Sequence, residues 1–175
     1  RPLEVPRALR RRVQPASGLC AARVAGFVRT LEEAQQGQAL TSDLTGEHLG
    51  ARGREPGLRR TPHEAAAVLL ELMAEADFVL FEHFLLDDAG HNQDMASALA
   101  LIGELDQFLR ALAAGLRPGD HLLVVSDHGN VEDLSIRSHT RHAVPLLCFG
   151  HRAHEVAQQA RSLCDVAPWV LELCP

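Results

Sequence analysis

The clearest alternation of apolar and polar positions lies between residues 61 and 175. In TPHEAAAVLLELMAEA, Thr61 is placed to cap a helix, Pro62 sits at its first position and Glu64 completes a capping box. DFVLFEHF, residues 77–84, is a short apolar run that reads as a buried strand. After a polar loop, Met95, Leu99, Ile102, Leu105, Leu109 and Leu112 recur at helical spacing, and Gly115 and Pro118 end that helix. HLLVVSD, residues 121–127, and AVPLLCFG, residues 143–150, predict two further strands. HEVAQQARSLCDVAPWVLELC closes the chain with two helical pieces around Pro168.

Strands that alternate with helices imply an α/β fold: a mostly parallel sheet, buried on both faces, with helices covering it. The first 60 residues are patterned differently. Residues 1–17 are irregular, LCAARVAGFVRTLEEAQQG carries one or two short helices with Thr30 and Glu33 spaced as a capping box, and 37–60 read as a long connection. The expected organisation is therefore 1–60 as an arm and connection, a remnant of a cap region, and 61–175 as the ordered α/β domain.

Composition narrows the class. With 46% hydrophobic and 23% charged residues the chain is globular, and no apolar run approaches the roughly 20 residues of a membrane span. A formal charge of −6 gives no reason to expect a nucleic-acid partner, and the basic run Arg7–Arg12 reads as a solvated arm. Cys20, Cys148, Cys164 and Cys174 form no CxxC pair, so reduced structural thiols in a cytoplasmic protein are expected. The chain starts at Arg1 rather than Met, which suggests a processed or truncated product. All 17 basic residues are arginine, which removes lysine from any mechanism.

In an open α/β sheet, ligands bind beyond the carboxyl ends of the strands. The 77–84 run leads into LLDDAGHN, with Asp87 and His91; the 121–127 run ends in SDHGN, with Asp127 and His128; SHTRH follows in the next loop. Taken singly, each is ordinary turn or capping chemistry. Together they form a mixed oxygen and nitrogen set suited to Mn²⁺ or Zn²⁺, and a divalent ion would relieve the repulsion between gathered carboxylates. Gly90 and Gly129 allow the bends such a convergence needs. A serine-hydrolase site is disfavoured because no G-x-S-x-G surrounds Ser126, and no Walker or G-x-G-x-x-G loop occurs.

Asp87-x-x-Gly90-His91, then Asp127-His128-Gly129-Asn130-x-Glu132, then His139-Thr140 followed by Val144-Pro145, resemble the metalloenzyme domain of cofactor-independent phosphoglycerate mutases, within the alkaline phosphatase superfamily. The closing CDVAPWVLEL also resembles that family's end, with Trp169 at a commonly small polar position. The resemblance implies a three-layer α/β/α domain whose N-terminal portion is missing, and two divalent cations, Mn or Zn. It implies Asp87, His91 and His139 on one metal, and Asp127 and His128 on a second, partly built one. The family's nucleophilic Ser or Thr and a further Asp lie upstream and have no match here, so the catalytic nucleophile is unassigned. Thr41, Ser42 and Thr45 beside Asp43 are the only clustered candidates to replace it, and His83 reads as a buried structural residue.

Arg141 and His142 stand where small polar residues are usual and are candidates for contact with a substrate phosphate. The expected substrate is a small phosphorylated metabolite or phosphate ester, and the expected reaction phosphoryl transfer or ester hydrolysis. A superfamily sulfatase or phosphodiesterase, and a non-catalytic metal-binding remnant, are the alternatives. Oligomeric state is left open.

Overall fold

The computed structural model describes residues 29–48 and 58–174. The chain divides into two units, Arg1–Ala39 and Leu40–Pro175. In the first, helix α1 spans Leu31–Gln35, and Thr30 forms the expected capping box. The Thr30 hydroxyl accepts from the Glu33 N–H at 3.2 Å, and the Glu33 carboxylate accepts from the Thr30 N–H at 2.6 Å. The basic run, Cys20 and the other helical turn expected before Arg29 lie outside the described residues.

The second unit is built on α2, Pro62–Met73, and α4, Met95–Gly115. Both are delimited by the residues that the sequence marks: the Thr61–Glu64 box with Pro62 in the first turn, and Gly115 at the far end of α4. Ala65, Ala66 and Leu69 of α2 pack on Phe108 and Leu112 of α4, with Leu44 from the connection closing the cluster. The buried positions of α4 are Ala98, Leu101, Phe108 and Leu112. Met95, Leu99 and Ile102, read from the sequence as part of one apolar row, are 57%, 61% and 45% exposed. The small Ala98 and the adjacent Leu101 instead meet Ala89 of the preceding helix, which turns that row outward.

The 77–84 segment is not a strand. Its period-two pattern is present, with Val79 and Phe81 against the core and Phe78 and Leu80 exposed. What it lacks, among the described residues, is a neighbouring backbone with which to form a ladder. The polar loop expected next is partly helical: α3 spans Leu85–His91.

Strand β1, His121–Val125, pairs with β2, Leu146–Gly150, from His121↔Gly150 to Val125↔Leu146. The pairing is antiparallel, which corrects the expected parallel order for these two strands. Their 126–145 connection carries no helix to cross a sheet face, so the chain doubles back instead. The described sheet is this pair. Helix α5, Ala153–Gln159, packs on β2; a 3₁₀ turn, Leu163–Asp165, then leads into α6, Val166–Leu173. The break between the last helices thus falls at 160–162 rather than at Pro168, which sits in the tolerant first turn of α6.

Candidate metal centre

Three segments meet beyond Val125 and Leu146, where the hairpin ends. The chain turns out of β1 at Ser126, whose hydroxyl donates to the His128 carbonyl at 2.7 Å. One isolated bridge then joins Gly129 to Thr140, with the Thr140 N–H donating to the Gly129 carbonyl at 2.9 Å. A Cβ at Gly129 would collide with the Thr140 hydroxyl and the Glu132 carboxylate, so this crossing requires glycine. The third segment is α3, which carries Asp87 and His91 one turn apart on the same face.

Asp87 is the centre of the arrangement. Its Oδ2 lies 3.3 Å from His91 Nε2, and its Oδ1 lies 3.4 Å from His139 Nε2 and 4.0 Å from His128 Nε2. Ligand-type atoms of Asp87, His128 and His139 all fall within 4.8 Å of one another. His91 Nε2 is 3.1 Å from His139 Nε2. The His128 and His139 rings stack at 3.4 Å between centroids and 13° between planes.

The tautomer of His91 follows from its other nitrogen. Nδ1 is 2.6 Å from the Arg137 carbonyl, which can only accept, so Nδ1 carries the hydrogen. In the neutral ring, Nε2 then presents its lone pair toward Asp87 and His139, as a metal-ligating imidazole must. His128 Nδ1 is buried without a hydrogen-bond partner. A carboxylate with three imidazoles fits a divalent cation of intermediate softness.

A surrounding set of polar contacts holds these groups. Asn130, 6% exposed, donates from Nδ2 to the Asp87 carboxylate and also to its carbonyl oxygen at 3.3 Å. Gly90 makes room for that amide, since a Cβ there would overlap Asn130 Oδ1. Glu132 accepts from the Asn130 N–H at 2.6 Å and from the Thr140 hydroxyl, and lies 3.3 Å from His142 Nδ1. The Thr140 hydroxyl, helped by the Asn130 N–H and the His142 charge, holds the Glu132 carboxyl below its ordinary range. Gln93, the one described non-glycine residue at positive φ (56°), donates to the Leu134 carbonyl at 2.8 Å and accepts from Arg137 Nε at 2.9 Å. It thereby ties the α3–α4 turn to the loop whose carbonyl orients His91. The motif spacing points to Asn130 and Glu132 but not to their roles, and nothing in the sequence singles out Gln93 or Arg137.

Asp87, His91 and His139, expected on one metal, come together, and His128, expected on a second, joins them. Asp127 Oδ1 is 3.5 Å from His128 Nε2, but its side chain is 86% exposed and outside the three-residue group. His142 lines a cavity beside the site, together with Asp127 and His128, whereas Arg141 is exposed and does not line it. The hydroxyls considered as substitute nucleophiles sit in a different cluster. Thr41 donates to the Asp43 carbonyl at 2.8 Å, Thr45 donates to Glu104 at 3.5 Å, and the Ser42 carbonyl accepts from His83 Nδ1 at 2.9 Å.

The Metalloenzyme superfamily model matches residues 59–174. The chain is 31% identical over 117 residues to the 2,3-bisphosphoglycerate-independent phosphoglycerate mutase of Desulforudis audaxviator (strain MP104C), covering 63% of this chain and 23% of that enzyme. It is 43% identical over 61 residues to the phosphopentomutase of Methylobacterium sp. (strain 4-46), covering 35% of this chain and 15% of the relative. A second 2,3-bisphosphoglycerate-independent phosphoglycerate mutase, from Haloquadratum walsbyi, is 31% identical over 108 residues, covering 57% and 21%. The chain thus spans less than a quarter of the length of these curated relatives. No solved structure matches. No described helix is long and apolar enough to cross a membrane. With two thirds of its residues matched by the family model, and the motif residues gathered around Asp87, the chain belongs to the Metalloenzyme superfamily.

Proposed function

We propose that this chain is the metal-holding part of an enzyme that transfers or hydrolyses the phosphoryl group of a small phosphorylated metabolite, using two divalent cations, Mn²⁺ or Zn²⁺. The observation that carries this reading is the convergence of Asp87, His128 and His139 within 4.8 Å, with His91 Nε2 3.1 Å from His139. Asp87, His91 and His139 would hold one cation, and His128 with Asp127 would hold the other. The names of the relatives support a phosphorylated substrate: both kinds are phosphomutases. Divalent cations so held supply charge neutralisation on a phosphoryl oxygen and a lowered pKa for an attacking hydroxyl.

The chain's own residues would do the positioning. Asn130 fixes the Asp87 carboxylate through Nδ2, and the Arg137 carbonyl fixes the His91 tautomer. Glu132 spans the two loops that deliver His128 and His139, which keeps their stacked rings in register. Two hydroxyls beside candidate ligands are already donors, Ser126 to the His128 carbonyl and Thr140 to Glu132. The attacking group is thus assigned to neither.

Elemental analysis of the purified chain after equilibration with Mn²⁺ or Zn²⁺ tests the reading. At least one ion per chain is expected, with His139→Ala retaining the fold by circular dichroism but losing most of that metal. A wild-type chain that retains no ion under either condition overturns it.

A further inference from the structure

A cavity of about 450 Å³ opens beside the candidate metal centre, within the range of roughly 300–1,000 Å³ typical of small-molecule sites. Asp127, His128, Thr140 and His142 contribute polar lining. Hydrocarbon lining comes from Val144 and Pro145 just before β2, Leu146 at its start, Leu163 of the 3₁₀ turn and Val166 at the start of α6.

The wall at the 3₁₀ turn is fixed in place. One oxygen of Asp165 accepts from the backbone N–H groups of Arg161 and Ser162, each at 2.8 Å, and from the Ser162 hydroxyl at 3.2 Å. That leaves the Ser162 hydroxyl spent within its own turn. Arg161 also lines the cavity, and its guanidinium donates to the neighbouring Ala160 carbonyl at 3.5 Å. The Arg161 and Ser162 N–H groups, helped by the Arg161 charge, hold the Asp165 carboxyl below its ordinary range. A planar guanidinium in the lining of a partly apolar cavity can stack on a flat ring.

We propose that this cavity selects phosphate monoesters whose alcohol part is a compact apolar body, an aromatic ring above all, over polyhydroxylated ones. The inference rests on the metal-dependent reading of the neighbouring site, which would take the phosphoryl group, and adds the class of group attached to it. In a sugar or glycerol body, the hydroxyls that face the valine, leucine and proline side chains would lack partners, a costly arrangement. A naphthyl or phenyl body would bury its hydrocarbon there.

Calorimetric titration of the Mn²⁺-loaded chain with inorganic phosphate, 1-naphthyl phosphate and glycerol 2-phosphate tests this. The naphthyl ester is expected to bind about tenfold tighter than the glycerol ester. Leu163→Asn, polar but uncharged and at an exposed position of the wall, is expected to erase that preference while leaving phosphate affinity unchanged. Val166→Thr, nearly isosteric, is expected to reduce the preference with the fold intact. Mn²⁺-dependent binding of phosphate without a naphthyl preference, or a preference that survives both substitutions, overturns the inference alone. Failure of all three probes to bind in a Mn²⁺-dependent manner overturns it together with the metal-dependent reading.

Discussion

Two groups of acid and imidazole side chains occupy the second unit, and they are put to opposite uses. Around Asp87 the Nε2 atoms of His91, His128 and His139 all point toward one carboxylate, at 3.3–4.0 Å. Around Asp43, which is 4% exposed, the hydrogen bonds run largely to backbone groups. Asp43 Oδ1 accepts from the Gly46 N–H at 3.1 Å, His48 Nδ1 stands 3.9 Å from it, and His83 donates Nδ1 to the Ser42 carbonyl. Burial pushes Glu104 of the same neighbourhood up from its ordinary value, with the Glu47 and Asp43 charges adding to the effect. The residue types match, and His48 Nδ1 and His83 Nε2 are also buried without hydrogen-bond partners; what differs is that only the Asp87 group, among the described residues, brings three ligand-type atoms within 4.8 Å of one another. Convergence of ligand-type atoms from three segments, rather than proximity of His to Asp, is what makes the Asp87 group the candidate metal centre.

The sharpest way to break the comparison is to remove Leu44, which follows Asp43 directly and is 1% exposed in the core between α2 and α4. Truncating a buried leucine removes its transfer energy and leaves a cavity, so Leu44→Ala is expected to cost about 2–5 kcal/mol of unfolding free energy. Metal affinity, measured under conditions where the variant remains folded, should be unchanged. A loss of metal affinity as large as that of His139→Ala would show that the Asp43 group serves the metal after all.

Asn130→Ala probes the other side. It leaves the candidate ligands in place but frees the Asp87 carboxylate from its Nδ2 donor. Groups that orient ligands in this way typically contribute 10- to 100-fold in metal affinity, about 1.4–2.7 kcal/mol. Titration of Mn²⁺ into wild type and variant reads the change directly. An affinity within twofold of wild type would mean that α3 alone sets the Asp87 geometry.

This division between ligands and supports also marks how far the sequence could be read. Local signals were strong for α2, because Thr61, Pro62 and Glu64 act within one turn and need no distant partner. Segment 77–84 has the period of a strand, yet a strand exists only with a neighbour, and that is a non-local property. The row Met95, Leu99 and Ile102 faces outward for a related reason: α4 carries apolar residues on more than one face, and contact with α3 decides which is buried. Asp87, His91, His128 and His139 were legible because glycine-rich bends and ordered motifs recur around them. The contribution of Arg137 was not, since it acts through a backbone carbonyl that any residue could supply.

The smallest effect expected separates the two groups by pH. Burial is the main cause that lowers His83 below its ordinary 6.5, with the His48 charge acting the same way and the Ser42 carbonyl and Asp43 opposing it. The unfolded chain therefore binds a proton below 6.5 that the folded chain binds only at lower pH. The stability contributed by neutral His83 is complete above 6.5 and is lost as pH falls through 6.5 toward the folded value. His83→Gln keeps an amide donor for the Ser42 carbonyl but does not titrate. Urea unfolding followed from about pH 7.5 to about pH 5.5 should show a shallower loss of stability in the variant than in wild type. Parallel slopes would place the His83 ring in contact with water in the folded chain, and the contrast between a closed group at Asp43 and an open one at Asp87 would then rest on hydrogen bonds alone.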